Sequence, residues 1–499
     1  MGWPGIGRAA LWQRAAAPTI KGTRLRLVRF PAPSPLSPSA AAPRGLTPDT
    51  RLRASVEVPV SKSVAQRAVL AAALTHGTTR LVGIDGRALC ADVAAALGVA
   101  RGLGAELEFV TPRALTVEGH SPARSRFGAA TGAAPGTTSG VSLEVGESGT
   151  LARLATAIAA LCMRGEVTIT GNGTLFRRTS PPLYEALLRA GVRLRTRTAT
   201  RSSGWPVTLR GIGPPSDLFL NDPVSSQELT ALLLVAASYP DPIRVHVQGV
   251  LPSAPYVEIT RRCLAVFGVS VVELPEEAVG DKSRRVFEAG GVMRAPEDPY
   301  MLDADASAAA VALTAGAIGG QELAVEGSFG ASGQGDVRIA DHLRAMGAEV
   351  HMEARAMRVS GTLVRGLDVD LTETPDLVPP LAVAACAAAL RHGAASRLAG
   401  LGTLRGKESD RIAVLTAALS ASGVDVQVGG CDREPNLTVR PPSGAREPSA
   451  VTLDPAGDHR MAFAGALLGL VVPGIRVAAP EVVAKSWPGF WEALDGATS

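Results

Sequence analysis

The pattern that decides the fold is RGLGAELEF, at residues 101–109, in which a helical run ends at Gly104 and a strand follows. The pattern returns around four later glycines, as LRAGVRLRT (Gly191), AVFGVSVVE (Gly268), RAMGAEVHM (Gly347) and SASGVDVQV (Gly423). Each glycine stands where a helix end needs a residue that tolerates left-handed backbone geometry. The residues after it alternate between apolar and polar, which predicts a half-buried strand.

The spacing of these glycines predicts a repeated module. They lie 87, 77, 79 and 76 residues apart, which is too long for a solenoid unit and suits a βαβαββ module used about six times, the last ending near Trp491. Between them lie helices that are apolar on every face, at 152–163, 228–237, 307–318 and 379–391. Such helices are buried on all sides. The predicted fold is therefore α/β, with some helices inside and sheets packed around them.

Length and composition exclude several classes of protein. The chain has 499 residues, 46% of them hydrophobic and 19% charged, which is enough for about two to four domains with real cores. The formal net charge is +4, but residues 1–48 hold seven basic residues and no acidic one, so the remainder has no positive excess. Aromatic residues make up only 4%. Non-specific nucleic-acid binding and base-stacking platforms are therefore not expected.

Cysteine usage and apolar runs predict a cytoplasmic protein with reduced thiols and no membrane span. The five cysteines lie far apart without a CxxC pair, which disfavours a disulfide framework or a zinc site. The longest uncharged apolar run, Met461–Ile475, has 15 residues, whereas a bilayer span needs about 20. Residues 1–48 are a disordered tail, a targeting segment or the product of a misassigned start codon. Residues 121–140 have low complexity and predict a surface loop.

A cluster of polar residues precedes each buried helix and carries the candidate chemistry. The clusters are SKSVAQR (61–67), GESGTLAR (146–153), FRRTS (176–180), SSQE (225–228), TPD (374–376), GKESDR (406–411) and DHR (458–460). Hydroxyls, free N–H groups and cations at a helix start make a site for an anion. The alternatives are ordinary serine caps, solvated charges and, for Tyr256, a packed aromatic; Asp376 is either a cap or a general base.

Together the clusters offer many cations and few carboxylates. The cations are Lys62, Arg67, Arg178, Lys407, Arg411, Arg460 and Lys485, and the carboxylates are Asp376 and Glu408. Arginine forks suit carboxylates and phosphates, so the simplest ligands are two polyanions, with the carboxylates handling protons. No metal is expected, because the histidines are scattered without an HxxxH or HExxH spacing. No cofactor is expected either, since the chain has no dinucleotide fingerprint.

In this order, the clusters resemble those of the EPSP synthases, the enolpyruvyl transferases of the shikimate pathway. The resemblance runs from about residue 50 to about residue 495, and its most specific motifs are SKSVAQRA, SSQELTALLL, GKESDRI and DHRMAFA. It implies two similar domains, each of three βαβαββ units with buried helices, an inside-out α/β barrel. We expect the first domain at residues 61–302 and the second at 49–60 plus 303–499.

The resemblance also implies a reaction: the enolpyruvyl group of phosphoenolpyruvate passes to the 5-hydroxyl of shikimate 3-phosphate, and phosphate is released. The residues implied for shikimate 3-phosphate are Ser63, Arg67, Ser225, Ser226, Gln227, Tyr256, Asp376 and Lys407. Those implied for phosphoenolpyruvate are Lys62, Gly149, Thr150, Arg178, Gln227, Arg411, Arg460 and Lys485. By the same resemblance, Asp376 takes the hydroxyl proton, and Glu408, together with Lys62, transfers a proton at C3. A monomer with these small-molecule partners is expected, and glyphosate is expected to bind in place of phosphoenolpyruvate.

Three positions depart from the family pattern. Val60 stands where the family usually has Gly, Glu147-Ser148 where it has Asn-Ala, and Thr403 where it has an Asn that touches the shikimate phosphate. Glu147 brings a negative charge towards a site built for anions, unless a neighbouring Arg neutralises it. Two alternatives remain. One is transfer to another anionic hydroxylated acceptor such as UDP-N-acetylglucosamine, whose enzymes commonly carry a loop Cys that this chain lacks. The other is a non-catalytic metabolite-binding paralogue, in which loss of Asp376, Glu408 or Lys62 would be expected.

Overall fold

The computed structural model describes residues 41–121, 140–196, 204–213, 215–279, 282–444 and 450–496. Residues 1–40 of the N-terminal extension and residues 122–139 of the predicted surface loop lie outside this range. Within it, no helix is long and apolar enough to cross a membrane. The five cysteines are free thiols, and all but Cys431 are buried, as the sequence predicts.

Helices and strands alternate along the described chain. The first half contains β1 (Ser55–Glu57), α1 (Lys62–Ala73), β2 (Gly77–Val82), α2 (Ala91–Gly102), β3 (Glu106–Thr111), β4 (Ala114–Gly119), β5 (Val141–Glu144), α3 (Gly149–Cys162), β6 (Glu166–Thr170), α4 (Pro181–Arg189), β7 (Arg193–Thr196), β8 (Val207–Arg210), β9 (Asp217–Asn221), α5 (Ser226–Ala236), β10 (Ile243–Gln248), α6 (Pro255–Val266), β11 (Val271–Val279), β12 (Lys282–Ala289) and β13 (Tyr300–Met301). The second half contains α7 (Ala306–Gly319), β14 (Leu323–Glu326), α8 (Ile339–Met346), β15 (Glu349–Met352), β16 (Ala356–Ser360), β17 (Asp368–Asp370), α9 (Val378–His392), β18 (Ser396–Ala399), α10 (Arg411–Ala421), β19 (Asp425–Gly430), β20 (Pro435–Arg440), β21 (Thr452–Leu453), α11 (His459–Gly469), β22 (Arg476–Val477) and α12 (Phe490–Leu494).

Among the described residues, the strands form five four-stranded sheets and one two-stranded sheet, β21-β22. The four-stranded sheets have the orders β13-β2-β4-β3, β5-β6-β8-β7, β9-β10-β12-β11, β1-β14-β16-β15 and β17-β18-β20-β19. In each, the first two strands are parallel and the last two pairings are antiparallel, as in β5-β6-β8-β7. The predicted βαβαββ module is therefore confirmed, and the sixth repeat is a shorter version of it.

The repeated glycines end helices as predicted. All five have a positive φ, from 78° at Gly268 to 115° at Gly347. A residue with a Cβ rarely adopts this geometry, so each glycine allows the chain to leave a helix and enter the next strand. The repeated pattern therefore reflects a requirement of the backbone: a glycine at the end of each of these helices.

Buried apolar side chains form two cores. The first core contains residues between 64 and 302, and the second core contains residues from 46 to 58 and from 304 to 494. The apolar helices lie inside, as predicted: α9 is buried from Val378 to Ala389. The surrounding strands alternate between buried and exposed residues, so the sheets face solvent on one side.

The chain crosses between the two cores through two short segments that pair with each other. Val60 and Ala304 form an antiparallel bridge. Ser61 N donates to Asp303 O at 2.9 Å, and Asp305 N donates to Pro59 O at 2.9 Å. We call residues 59–61 and 303–305 the paired strip. On either side of it, β1 joins a sheet of the second core and β13 joins a sheet of the first.

Residues 41–48, which the sequence assigns to the N-terminal extension, are part of the described structure. Arg44 exchanges backbone hydrogen bonds with Val477 at 2.7 and 3.1 Å, and Leu46 is buried in the second core. The Arg44 guanidinium also lies 5.3 Å from the centre of the Trp491 ring. This part of the extension therefore packs on the second core.

Candidate active site

The predicted site residues come together at one cavity, and all of them except Lys485 line it. Helices α1, α3, α5, α10 and α11 begin at its wall. Their free N–H groups and dipoles favour a bound anion. The cavity encloses about 740 Å³ of space, including its open mouth. The cavity is also lined by five residues that the resemblance assigns to neither substrate: Gln66, Asp92, Ser148, Ser253 and His459.

Some of these helix starts are also capped. Ser148 accepts a hydrogen bond from Leu151 N at 3.3 Å, and Ser225 accepts one from Gln227 N at 3.3 Å. The cap interpretation is therefore correct for Ser225, and Ser148 is a second cap. Ser61, at the start of α1, makes no such bond. A cap and an anion site are compatible, because the cap uses one N–H group while the neighbouring residues face the cavity.

Asp376 lies on a 3₁₀ turn, Pro375–Leu377, directly before α9, and it caps no helix. Arg411 Nη1 donates to its Oδ1 at 2.9 Å, and Arg460 Nη2 donates to its Oδ2 at 2.7 Å. Lys407 Nζ lies 3.8 Å from Oδ1. Burial alone would raise the pKa of this carboxyl, but Arg460, Lys407 and Arg411 hold the pKa well below its usual range. The resting protein therefore carries Asp376 as a carboxylate.

Glu408 is the second carboxylate at the cavity, and it is 8% exposed. Arg178 Nη2 lies 3.3 Å from its Oε1, and Lys485 Nζ lies 3.0 Å from its Oε2. Burial would raise its pKa, but His459, Lys485 and Arg178 hold the pKa well below the usual range. The alternative of a solvated charge run at 406–411 is wrong, because Glu408 and Arg411 are buried.

Lys62 and His459 connect Glu408 to the other side of the cavity. His459 Nδ1 lies 3.0 Å from Glu408 Oε2, and Lys62 Nζ lies 3.4 Å from His459 Nε2 and 3.1 Å from Asp92 Oδ2. An ammonium group can only donate, so Nε2 accepts and Nδ1–H donates to Glu408. Burial lowers the pKa of His459, which favours this neutral ring. Burial would also lower the pKa of Lys62, but Asp92 and Glu408 raise it, so Lys62 stays charged.

Arg67 is a buried cation with neutral partners. It is 1% exposed and donates to Ser63 O at 2.7 Å and to Thr260 Oγ1 at 2.9 Å. In the described part of the chain, no carboxylate lies within 4 Å of its guanidinium. Burial lowers its pKa to about 10, so it remains charged at neutral pH. An unpaired buried charge is costly, and an anionic ligand would relieve that cost.

Gln227 is held by Arg153, a cation of the GESGTLAR cluster that the resemblance assigns to neither substrate. Arg153 Nη1 donates to Gln227 Oε1 at 3.1 Å and to Gly149 O at 3.0 Å, and its Nε donates to Ser180 Oγ at 3.1 Å. Ser180 Oγ in turn donates to Glu228 Oε1 at 2.5 Å. This network fixes the start of α5 against α3. The Arg in GESGTLAR was visible in the sequence, but nothing there indicated its partner.

Lys485 does not line the cavity and is paired with both Glu147 and Glu408. Lys485 Nζ donates to Glu147 Oε2 at 3.0 Å, and Thr174 Oγ1 donates to the same oxygen at 2.7 Å. Glu147 is therefore neutralised, but by this lysine and not by an arginine. Thr403 does not line the cavity either, and its buried hydroxyl has no partner among the described residues.

One group of side chains has the spacing of a metal site. Glu408, Asp458 and His459 place potential ligand atoms within 4.8 Å of one another. However, Arg411 Nε donates to Asp458 Oδ2 at 2.8 Å, and Lys485 lies against Glu408. A divalent cation there would be repelled by both charges, so these residues do not fit a metal. The absence of a metal cofactor stays a prediction.

The repeated inside-out cores and the cation-lined cavity with two carboxylates match the class of enolpyruvyl transferases. The family model for EPSP synthase (3-phosphoshikimate 1-carboxyvinyltransferase) matches residues 46–494. The chain therefore belongs to the EPSP synthase family.

Relatives and a solved structure agree with this membership. The 3-phosphoshikimate 1-carboxyvinyltransferase of Methanopyrus kandleri is 36% identical over 448 residues, which cover 89% of this chain and 95% of that protein. The protein of the same name from Halobacterium salinarum is 34% identical over 462 residues, 90% of this chain and 97% of that protein. The structure of EPSP synthase from Acinetobacter baumannii superposes with a TM-score of 0.66 at 22% identity, covering 90% of this chain and 96% of that one. The predicted two-domain, inside-out fold class is confirmed.

Proposed function

We propose that this chain transfers the enolpyruvyl group of phosphoenolpyruvate to the 5-hydroxyl group of shikimate 3-phosphate and releases phosphate. The observation that carries the proposal is the pair of carboxylates, half-buried Asp376 and buried Glu408, facing one cavity among lysine and arginine side chains. Two anionic substrates need such cations. Their condensation needs proton transfer at the acceptor oxygen and at C3 of phosphoenolpyruvate. The relatives bear the name of this activity.

The acceptor would lie against α1 and α5. Its phosphate would neutralise Arg67, and the hydroxyls of Ser63, Ser225 and Ser226 would complete the phosphate site together with the helix-start N–H groups. Lys407, on the opposite wall, lies 3.8 Å from Asp376. The 5-hydroxyl would then face Asp376, with Tyr256 and Gln227 against the ring.

Phosphoenolpyruvate would lie between the starts of α3, α10 and α11, against Gly149 and Thr150. Arg411 and Arg460 provide planar forks for a carboxylate or phosphate, and Lys62 adds a point charge. Arg178 contributes a donor that is already desolvated: its Nε is buried without a partner among the described residues. Lys485 would join this set after leaving Glu147.

Asp376 becomes an effective base only when both substrates are bound. In the resting protein the three neighbouring cations hold its pKa well below the usual range, so it accepts a proton poorly. Bound anions offset those same charges, and the pKa of Asp376 then rises. A C–O bond forms between the 5-oxygen and C2 while the hydroxyl proton passes to Asp376. Lys62 supplies a proton to C3. As the C2–O bond to phosphate breaks, Glu408 takes a proton from C3 and passes it to the departing phosphate, and Lys62 regains a proton from water.

We also propose that the domains at 61–302 and at 49–60 plus 303–499 close around these ligands, and that the protein acts as a cytoplasmic monomer. In support, the two cores meet at the paired strip, and one chain supplies every residue assigned to both substrates. Size-exclusion chromatography with light scattering, run at the assay concentration, tests the monomer.

A phosphate-release assay with both substrates tests the reaction. We expect release that depends on both, and a large loss when shikimate replaces shikimate 3-phosphate, because Arg67 then stays unpaired. UDP-N-acetylglucosamine serves as the second acceptor in the assay. Release with that acceptor alone would reassign the substrate, whereas binding of shikimate 3-phosphate without any release would indicate a non-catalytic protein.

A further inference from the structure

Asp336 is a buried carboxylate that contacts the same tyrosine as Asp376 and has no role in the reaction described above. It stands on the 3₁₀ turn Gly335–Arg338 and is 2% exposed. Tyr256 Oη lies 3.3 Å from Asp336 Oδ2 and 3.4 Å from Asp376 Oδ2. A phenol has one proton and donates to one carboxylate at a time, so the three groups form a chain along which a proton can move. Such contacts are often long without substrate and shorten in the complex.

The two carboxylates differ in the charges around them. Asp376 lies among Arg411, Arg460 and Lys407, whereas no cation lies within 4 Å of Asp336 in the described residues. Burial and the charge of Asp376 raise the pKa of Asp336 to about 6. The pKa of Asp376 is held far lower. In the resting protein, a proton is therefore more stable on Asp336 than on Asp376.

Asp336 also faces a second cavity. This cavity encloses about 270 Å³ and adjoins the candidate active site, with which it shares Lys62, Ser63, Tyr256 and Arg460. Asp336 lines the smaller space and not the candidate active site itself.

We propose that Asp336 receives, through Tyr256, the proton that Asp376 takes from the acceptor hydroxyl, an inference that rests on the proposed function. The O–H bond of the acceptor breaks as its oxygen bonds to C2, and the proton passes to Asp376 Oδ2. Tyr256 Oη accepts that proton while its own proton passes to Asp336. The phenol is unchanged, Asp376 is again a carboxylate, and Asp336 releases the proton to water after turnover.

The relay predicts that turnover decreases at low pH. The groups that face Asp336 are Tyr256 on α6, Asp305 and Ser307 at the start of α7, Lys62 on α1, Asp376 before α9 and Arg460 on α11. Burial, Asp336 and Asp376 raise the pKa of Tyr256 well above its ordinary value, so the phenol stays neutral. Asp336 can accept a proton only when it is ionised. Turnover is therefore full above the pKa of Asp336 and falls as the pH drops through about 6.

Three variants test the relay through the pH profile of kcat. Asp336→Asn removes the acceptor, and we expect kcat to fall at least about tenfold, with the acid limb near pH 6 lost. Tyr256→Phe interrupts the chain and should lose the same limb. Ser307→Ala is the matched control: it removes only a hydroxyl that donates to Asp336 and lowers its pKa. Its plateau kcat should stay within about twofold, and its acid limb should move to higher pH.

Each outcome decides for or against the relay. The relay would be overturned if kcat of Asp336→Asn fell at low pH as it does in wild type. It would also be overturned if the fall of kcat in Ser307→Ala occurred at the same pH as in wild type. If Asp336→Asn fails to fold in thermal unfolding, Ser307→Ala carries the test. A purely structural role for Asp336 would lower stability and leave the limb in place.

An infrared titration of the resting protein separates the relay from the proposed function. As the pH falls through about 6, wild type should gain the carbonyl band of a protonated carboxyl group that Asp336→Asn lacks. The absence of that band would overturn the relay in a fully active enzyme. An inactive wild type that shows the band would refute the proposed reaction and leave Asp336 as the proton-holding group beside Asp376.

Discussion

For single residues, the number of neighbouring cations determines whether a carboxyl group is protonated. Asp376 and Glu408 each lie beside several lysine or arginine side chains and stay ionised. Asp336 has no such cation within 4 Å among the described residues and binds a proton more easily. Glu228 is also fully buried, but Ser180 and Val224 N donate to it and it fixes a helix start. A buried acid can therefore be a base, a proton store or a structural element, and its neighbours determine which.

Replacing Asp376 tests the base. Asp376→Asn keeps the shape but cannot take the hydroxyl proton, so we expect kcat to fall by about 10²–10⁴-fold. Binding of shikimate 3-phosphate should change far less. The matched control is Glu373→Gln, an exposed position three residues earlier that pairs with Arg338. Steady-state kinetics measure both variants; a kcat near that of wild type in Asp376→Asn would contradict the assignment.

Replacing Glu147 tests the departure from the family. Glu147→Asn removes the charge that holds Lys485, so this ammonium becomes available to phosphoenolpyruvate. We expect the KM for phosphoenolpyruvate to fall by about three- to tenfold, roughly 0.7–1.4 kcal/mol, with kcat within about twofold. Glu144→Gln, an exposed acid on β5, is the control. A higher KM in Glu147→Asn would mean that Glu147 positions Lys485 instead of competing for it.

At the scale of helices and strands, the site is a set of helix starts that close packing holds together. The start of α3 shows how little room remains: a Cβ added at Gly149 would lie 2.6 Å from Arg178 Nη1 and 3.2 Å from Arg153 Nη1. Both arginines have flexible ends that can shift. The helix therefore tolerates a methyl group here only by moving the cations that face the cavity.

Gly149→Ala should thus weaken anion binding without unfolding the protein. We expect the KM for phosphoenolpyruvate and the inhibition constant of glyphosate to rise, each at least about fivefold, because Arg178 is displaced. Gly98→Ala, on α2, is the control, since a Cβ there meets nothing within 4 Å. It should raise stability by up to about 1 kcal/mol. Unchanged constants in Gly149→Ala would show that this helix start does not contact the ligand.

The helices and the repeat could be predicted because their signals are local. The glycine pattern and the all-apolar helices follow from backbone geometry and from burial, and both appear in a short window of sequence. The partners of Arg153, Glu147 and Asp336 could not be predicted, because each depends on segments tens to hundreds of residues apart. Asp92 opens an ordinary helix, and only the fold brings it to Lys62.

Over the whole molecule, the N-terminal boundary of the packed structure can be located by truncation. Removal of residues 1–48 deletes Arg44 and Leu46, whereas removal of 1–42 keeps both. We expect the shorter truncation to retain the melting temperature of the full chain, and the longer one to lose about 2–5 kcal/mol, the cost of deleting a buried leucine. Differential scanning calorimetry measures this, with Leu46→Ala in the full chain as the control. Equal stability of both truncations would show that these contacts contribute little.

The relation between the two cores depends on Lys485, which stands between Glu147 on the first core's side and Glu408 on the second. Without this ammonium, which lies 3.0 Å from both carboxylates, Glu147 and Glu408 lose the cation that they share. Lys485→Met should therefore open the molecule, with a larger radius of gyration in small-angle X-ray scattering and lower turnover. Glu147→Asn added to Lys485→Met removes one of the repelling charges, so part of the compaction should return. The double-mutant cycle should show a coupling of about 0.5–3 kcal/mol in the free energy of unfolding. Simple additivity would mean that Lys485 does not couple Glu147 to Glu408 and acts only on the bound substrate.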